Sequence, residues 1–450
     1  PRTTGLPAIT AAPQRFIPPR MNSPTSSPRT QSAAPEPESA EAALFRRWQV
    51  RTLVGAMFGY AAFYFVRKNL SFAMPAMQSD LGISKADLGI FLTLHGLLYG
   101  VSRFVNGMWA DRANARCFMV AGLLLSVGAN VFFGFSSTVL LLGVAWMING
   151  WVQGMGFPPC CRLMTHWFRP ERLASTMSVW NTSHSIGAAV ASVACGYFVL
   201  LGWRWCFFGP AILCTLAGLI LFIVLRDTPR SVGLPEISTG EAAPEAGEDR
   251  SSADYKAFVR NQVFLNPFIW LVSLANFFVY ILRFAILDWG PTLLKEMKHF
   301  PVQKSGWMVG AFEVSGIIGM LLAGWITDRV FRGRGARTCV FCMIGACGAL
   351  LLFWQFGSTP ALATVFLAAA GFFIYGPQAL IGIIASNLAT KRAAATAAGF
   401  TGLFGYASTI VSGWGLGLLV EKAGWHIAFG ALLALGAVRS EEHTSELQSH

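Results

Sequence analysis

Charged side chains are scarce in this sequence: 12% of its 450 residues are Asp, Glu, Lys or Arg, about half of the roughly 25% usual for soluble domains. Acids are scarcer than bases, 22 against 34, giving a formal charge of +12. A well-solvated surface cannot be drawn from so few. Also missing are a G-x-x-x-x-G-K-[ST] phosphate loop, a G-x-S-x-G nucleophile elbow and any Cys/His spacing suited to a metal. ATP drive, covalent catalysis and metal chemistry therefore have no support; the chain is not expected to be an enzyme, and no cofactor is expected. The nine cysteines fall mostly inside apolar runs and imply no disulfide framework. The neighbours Cys160 and Cys161 read as small packing residues.

What the sequence has instead is apolar length, with 54% hydrophobic residues. Runs near or above the roughly 20 residues needed to cross a bilayer recur near 52–74, 88–110, 117–136, 138–161, 173–199, 203–225, 264–292, 305–330, 338–356, 360–387, 393–420 and 424–438. The expectation is an all-α membrane protein of twelve transmembrane helices. Basic residues gather before the first span (Arg46, Arg47, Arg51) and on even-numbered connections, among them Arg112, Arg116, Arg169, Arg172, Arg226 and Arg337. The positive-inside rule then places the N-terminus, the middle loop and the C-terminus in the cytoplasm. Basic residues spread over alternate loops, rather than along one amphipathic face, speak against nucleic acid as a partner.

Both ends stand apart. Residues 1–44, rich in Pro, Ser, Thr and Ala without periodicity, read as disordered. The first methionine is Met21, so residues 1–20 are read as upstream translation, and no secretory signal is evident. The twelfth apolar run stops at Val438, short of a crossing, and residues 439–450 (RSEEHTSELQSH, counting from Arg439) read as a sequencing-adapter artefact that truncates the last helix.

The middle is organised by a repeat. Asp111 in NGMWADRANARC and Asp328 in GWITDRVFRGRGAR stand 217 positions apart. Tyr60, Tyr64 and Arg67 map onto Asn276, Tyr280 and Arg283, each 216 positions later, and Pro158 onto Pro377 after 219. Two similarly oriented six-helix halves follow, 45–226 and 261–438, joined by a cytoplasmic linker at 227–260; parallel repeats of this kind place substrate between the halves near the midplane.

Tyr60, Tyr64 and Arg67 share one helix face at i, i+4 and i+7, and the repeat puts Arg283 on the equivalent helix. Two guanidiniums then converge on one axis. Like charges in low dielectric repel unless an anion sits between them, and guanidinium forks match phosphate oxygens bidentately. The competing reading gives each arginine a buried acid, Asp288 or Glu313. Lys68 points about 100° away around the helix and is assigned Asp288 as its partner, which leaves both arginines for a ligand.

The G-x-W-A-D-R-x-x-x-R pattern of Gly107, Asp111, Arg112 and Arg116, repeated at Gly324, Asp328 and Arg329, resembles the cytoplasmic loop motif of the major facilitator superfamily. YFVRKN (Tyr64 to Asn69), VWNTSH (Val179 to His184), YILRFAILDWGPTLLKE (Tyr280 to Glu296), IYGPQ (Ile374 to Gln378) and GFTGLFGY (Gly399 to Tyr406) together resemble the organophosphate:phosphate antiporter family over about residues 48–438. The resemblance implies the major facilitator fold, a monomer in the bacterial inner membrane, and exchange of a hexose-6-phosphate or glycerol-3-phosphate type of substrate for inorganic phosphate by alternating access. It implies phosphate contacts from Arg67 and Arg283. It also raises His184, otherwise as easily a packing histidine, to a phosphate contact.

Tyr60, Tyr64, Trp180, Tyr280, Tyr375 and Tyr406 are read as cavity walls, although core packing suits Tyr375 and Tyr406 nearly as well. Arg103 stands where the family often has lysine, and its substrate and structural readings are balanced. Lys68, Asp288 and Glu313 are read as a charge-pairing group, and Asp111, Arg112, Asp328 and Arg329 as gating residues that do not touch substrate. Two alternatives stay open. SDLGIS and DRANARCFM resemble family members that sense hexose phosphate and signal to a histidine kinase. Proton-coupled transport of another organic anion is disfavoured by the shortage of intramembrane carboxylates.

Overall fold

The computed structural model describes residues 40–110, 112–237 and 253–446. Among these the chain is helical, with no strand. The first half holds α1 (Ala40–Phe65), α2 (Asn69–Leu81), α3 (Lys85–Ala110), α4 (Ala115–Phe135), α5 (Val139–Gln153), α6 (Phe157–Trp167), α7 (Pro170–Phe198) and α8 (Trp205–Val224). After the short α9 (Ala253–Val259), the second half holds α10 (Pro267–Glu296), α11 (Val302–Arg329), α12 (Gly335–Phe356), α13 (Pro360–Leu388), α14 (Thr390–Ala407) and α15 (Leu416–Glu446). Side-chain caps set several starts: Asn114 accepts from Cys117 N, Thr138 from Leu141 N, Asn266 from Phe268 N and Thr359 from Leu362 N. Proline opens α7, α10 and α13, where its missing N–H would have been unpaired anyway.

Ten helices among the described residues are long and apolar enough to cross a membrane. One of these, Thr396–Gly436, covers two expected spans, divided at Gly424, whose backbone is non-helical. The expected first span is present but interrupted, as α1 and α2. Divided at Gly424, the ten helices cover eleven of the twelve expected spans; α1 and α2 are not among the ten. Three span boundaries depart from the sequence reading in an informative way. The first breaks at Val66–Lys68, the fourth at Gly154–Gly156 between α5 and α6, and the eleventh passes through a π-turn at Ile410–Gly415. Apolar periodicity is blind to such breaks because the flanking residues stay hydrophobic. Large apolar side chains such as Phe104, Leu140, Ile223 and Val365 face outward, as a lipid-bathed surface requires.

The two halves touch strongly at one end. At the end carrying residues 82–87, 297–301 and 418–424, one buried core runs through both halves, from Leu70, Phe91 and Trp146 to Trp289, Phe353 and Trp425. There Lys85 Nζ lies 3.2 Å from Glu296 Oε2 and Ala86 N donates to Glu421 Oε2 at 2.9 Å. Backbones also meet: a Cβ on Gly89 would stand 2.7 Å from the Gly413 oxygen, and one on Gly306 2.6 Å from the Ser192 oxygen. Toward the other end the first half keeps its own core of Tyr60, Phe63, Met119, Met164 and Leu221. The contacts between halves just named gather at the former end, which forms a seal.

Candidate functional site

Just above the seal, the interruption between α1 and α2 carries two cations. Arg67 N–H bonds the Tyr64 carbonyl at 3.3 Å and Lys68 N–H bonds the same oxygen at 3.0 Å, a tight turn that sends the two long side chains to different partners. The Arg67 guanidinium lies 4.0 Å from the centroid of the Tyr99 ring on α3 and 5.6 Å from that of Tyr64. No carboxylate pairs with it among the described residues. Lys68 instead crosses to the second half, its Nζ 2.9 Å from Asp288 Oδ1 on α10. The two side chains of that pair are 9% and 13% exposed, so removing one partner leaves a nearly buried charge. Asp288→Asn is expected to lower stability by on the order of 3 kcal/mol. The double change Lys68→Met with Asp288→Asn should recover much of this in thermal unfolding of detergent-purified protein.

Arg283 sits in mid-helix on the unbroken α10, 5% exposed. Its Nη2 donates to Tyr375 Oη at 2.9 Å, and Tyr375 Oη donates in turn to Glu313 Oε2 on α11. The expectation that both arginines stand clear of acids therefore needs correction in this half: Arg283 is coupled to Glu313 through the Tyr375 phenol, without a direct ion pair. A buried carboxylate must find donors, and a phenol can accept and donate at once. Arg283 Nε has no hydrogen-bond partner among the described residues. A run of ring contacts links the two arginines across the halves: Arg67 to Tyr64, Tyr64 to His184, His184 to Tyr375 and Tyr375 to Arg283.

Around this pair the rings form a wall. The His184 ring on α7 stacks parallel to Tyr375, centroids 6.0 Å apart, and stands 5.8 Å from Tyr64. Its Nδ1 donates to the Asn181 carbonyl, which fixes the tautomer with the lone pair on Nε2, where the Ser185 hydroxyl lies at 3.3 Å. Tyr60 packs against Trp180 with centroids 4.7 Å apart. Trp180 itself, expected as a cavity wall, is 1% exposed and acts as the backing of Tyr60. Arg103 lies on the side away from the seal, 3.5 Å over the Phe157 ring and 3.4 Å from Tyr406 Oη. Tyr406 meets Tyr99 at 5.0 Å and Tyr280 at 6.2 Å. Counted formally, Arg67, Lys68, Arg103 and Arg283 against Asp288 and Glu313 leave two net positive charges between the halves.

The expected gating residues are less connected. Arg112, Asp328 and Arg329 are exposed, and Asp111 lies outside the described residues. At that end the acid with visible partners is Asp227, which the sequence reading passed over. Asp227 Oδ1 accepts from Ala115 N at 2.7 Å, at the start of α4, and lies 3.4 Å from Arg162 Nε.

A family model for the Major Facilitator Superfamily matches residues 56–413. The chain belongs to that superfamily. Curated relatives within it include the "Probable hexose phosphate transport protein" of Chlamydia muridarum, 40% identical over 412 residues, covering 88% of this chain and 90% of that one. The "Glycerol-3-phosphate transporter" of Bacillus subtilis is 38% identical over 403 residues, covering 87% and 90%. The "Membrane sensor protein UhpC" of Salmonella typhimurium is 37% identical over 409 residues, covering 88% and 90%. These relatives place the chain in the organophosphate group of the superfamily, and not among enzymes. A solved bacterial homologue of the human lysosomal transporter Spinster, inward-facing and unoccupied, shares the major facilitator fold with a TM-score of 0.69 at 15% identity, over 88% of this chain and 93% of that one.

Two features of this major facilitator site were not read from the sequence. Tyr99 is the ring that carries Arg67; its spacing of four from Arg103 was a usable signal, since both share a face of the second span. The other is a set of buried amides behind Arg67.

Proposed function

We propose that the chain is a secondary transporter that exchanges a phosphorylated sugar or polyol, of the hexose-6-phosphate or glycerol-3-phosphate type, for inorganic phosphate by alternating access. The observation that carries the reading is the net double positive charge between the halves, built on one guanidinium from each half. A phosphomonoester, like inorganic phosphate, carries about −1.5 to −2 at neutral pH and neutralises it. A ligand with a second acidic group would leave surplus negative charge, so the organic part is expected to be neutral and hydroxyl-rich, bounded by Tyr60, Tyr64, Tyr280 and Tyr406. Arg67 and Arg283 grip the phosphoryl oxygens, and His184 Nε2, an acceptor in this tautomer, takes a hydrogen bond from the hydroxyl of a singly protonated phosphate. Arg103 closes the side opposite the seal, which on the charge pattern of the loops faces the cytoplasm of a bacterial inner membrane. The protein works as a monomer.

The names of the curated relatives support phosphorylated cargo. The sensor among them supports a second reading, binding of a hexose phosphate with signalling to a histidine kinase. Liposomes loaded with phosphate and containing the purified chain separate the two. The transporter reading expects uptake of labelled hexose-6-phosphate or glycerol-3-phosphate that requires internal phosphate. Saturable binding with no exchange would favour the sensor. Uptake that follows a pH gradient without phosphate would point instead to proton coupling.

A further inference from the structure

Behind Arg67 lies a cluster of buried side-chain amides that the site described above does not use. Asn130 Nδ2 on α4 and Asn149 Nδ2 on α5 both donate to the Val66 carbonyl, at 3.0 and 2.8 Å. Gln153 Nε2 donates to the Phe63 carbonyl at 3.2 Å and to Ser126 Oγ at 2.9 Å. Ser126 Oγ closes the ring by donating to Asn149 Oδ1. From the far side of the break, Asn69 Nδ2 donates to Asn130 Oδ1 at 2.6 Å and to the Cys206 carbonyl at 2.9 Å. Asn69, Asn130, Asn149, Gln153 and Ser126 are each at most 2% exposed.

These donors answer a specific need. Where α1 stops, the Arg67 N–H turns to Tyr64, and the carbonyls of Phe63 and Val66 are left for other donors. An unpaired carbonyl buried in a membrane protein costs several kcal/mol, so without the amides the chain would regain its pairing by continuing as helix. The fold does not demand the break: the equivalent α10 carries Arg283 on an unbroken helix. Nor does the repeat reproduce the amides. At lags of 216 to 219, Asn130 corresponds to residues 346–349, Asn149 to 365–368 and Gln153 to 369–372, and none of these windows contains Asn or Gln. A costly polar cluster kept in one half of a repeat points to a task particular to that half.

We infer that Asn130, Asn149 and Gln153 are positioning residues for Arg67: they hold the α1–α2 interruption open, and the interruption sets the guanidinium against Tyr99. The inference rests on the phosphate-binding reading of Arg67 and deepens it. Closing the break would rewind the backbone at residues 66–68 and turn Arg67 and Lys68 about the helix axis. A misplacement of about 1 Å at such a contact is enough for a loss of about 100-fold.

The test is phosphate–phosphate counterflow in liposomes, with half-saturation and turnover measured separately for the parent, Asn149→Leu and the near-isosteric Gln153→Met. The expected result is a half-saturating phosphate concentration raised at least about tenfold in the protein that inserts and survives purification, with turnover at saturation changed by less than about threefold. A purely structural role would lower the yield and thermal stability yet leave the survivors with parental half-saturation. That outcome overturns the inference, and Gln153→Met, which conserves volume, keeps the comparison available if Asn149→Leu does not fold. A parent that neither binds nor exchanges phosphate would overturn the site reading itself, and the inference with it. Parental exchange with unshifted variants sinks the inference alone.

Discussion

Arg67→Lys should reduce phosphate exchange by about 100-fold or more while leaving membrane insertion and thermal stability close to those of the parent. A guanidinium offers a planar fork to two phosphoryl oxygens, whereas an ammonium acts as a point charge on a more flexible stem. Hydrogen bonds to charged groups contribute about 1.5–3 kcal/mol each, so losing the bidentate geometry is enough for two decades. Stability should be spared because Arg67 has a ring beneath it and no buried acid depending on it. Arg283→Lys is expected to lose exchange to the same degree and, in contrast, to unfold at lower temperature. Tyr375 and Glu313 are both fully buried, and their network loses its cationic end with the guanidinium. Exchange by proteoliposomes and thermal unfolding in detergent, measured on both variants, separate the two roles. Parental exchange in either variant would remove that arginine from the site.

This asymmetry between the arginines marks the limit of what the sequence made legible. Helical periodicity put Tyr60, Tyr64 and Arg67 on one face, and the 216-residue lag carried that face to Arg283. Lys68, one position on, was free to be assigned Asp288, and the structure has them 2.9 Å apart. Those inferences need only local geometry and the repeat. The link from Arg283 through Tyr375 to Glu313 joins α10, α13 and α11, with 92 and 62 residues between partners, and no local pattern encodes it. The break at Val66–Lys68 was hidden for a related reason. Its stabilising donors lie 64 to 90 residues away, and isolated Asn and Gln in apolar spans look like tolerated exceptions until the carbonyls they serve are seen. Asp227, at the edge of the linker, looked like one more loop charge, although it caps α4 and meets Arg162.

The second large effect is expected at the seal. Gly89 on α3 packs against the π-turn of Ile410–Gly415, and any Cβ there would come within 2.7 Å of the Gly413 oxygen and 2.9 Å of Trp414 Cα. Both contacts are backbone, which cannot swing aside as a side chain can. Gly89→Leu should therefore hold the halves apart at this end, and under alternating access a protein that cannot seal one face cannot open the other in turn. Exchange is expected to fall by about 100-fold or more, while phosphate still raises the unfolding temperature, because Arg67 and Arg283 are untouched. Thr93 gives a graded version of the same experiment. Its hydroxyl donates to the Thr409 carbonyl at 2.7 Å and accepts from Trp414 N at 2.9 Å, tying the first half to the π-turn of the second. Thr93→Val removes these two hydrogen bonds from the sealed state, a loss of about 0.5–1.5 kcal/mol for each. When the halves part, water can reach the same groups, so the penalty falls on the sealed state and shifts the balance away from it by about 5- to 150-fold. Spin labels on the α3 and α15 sides of this end would read that shift as a longer distance population in Thr93→Val and a dominant one in Gly89→Leu. An unchanged distance distribution in Gly89→Leu, with parental exchange, would show that these backbones do not form the gate.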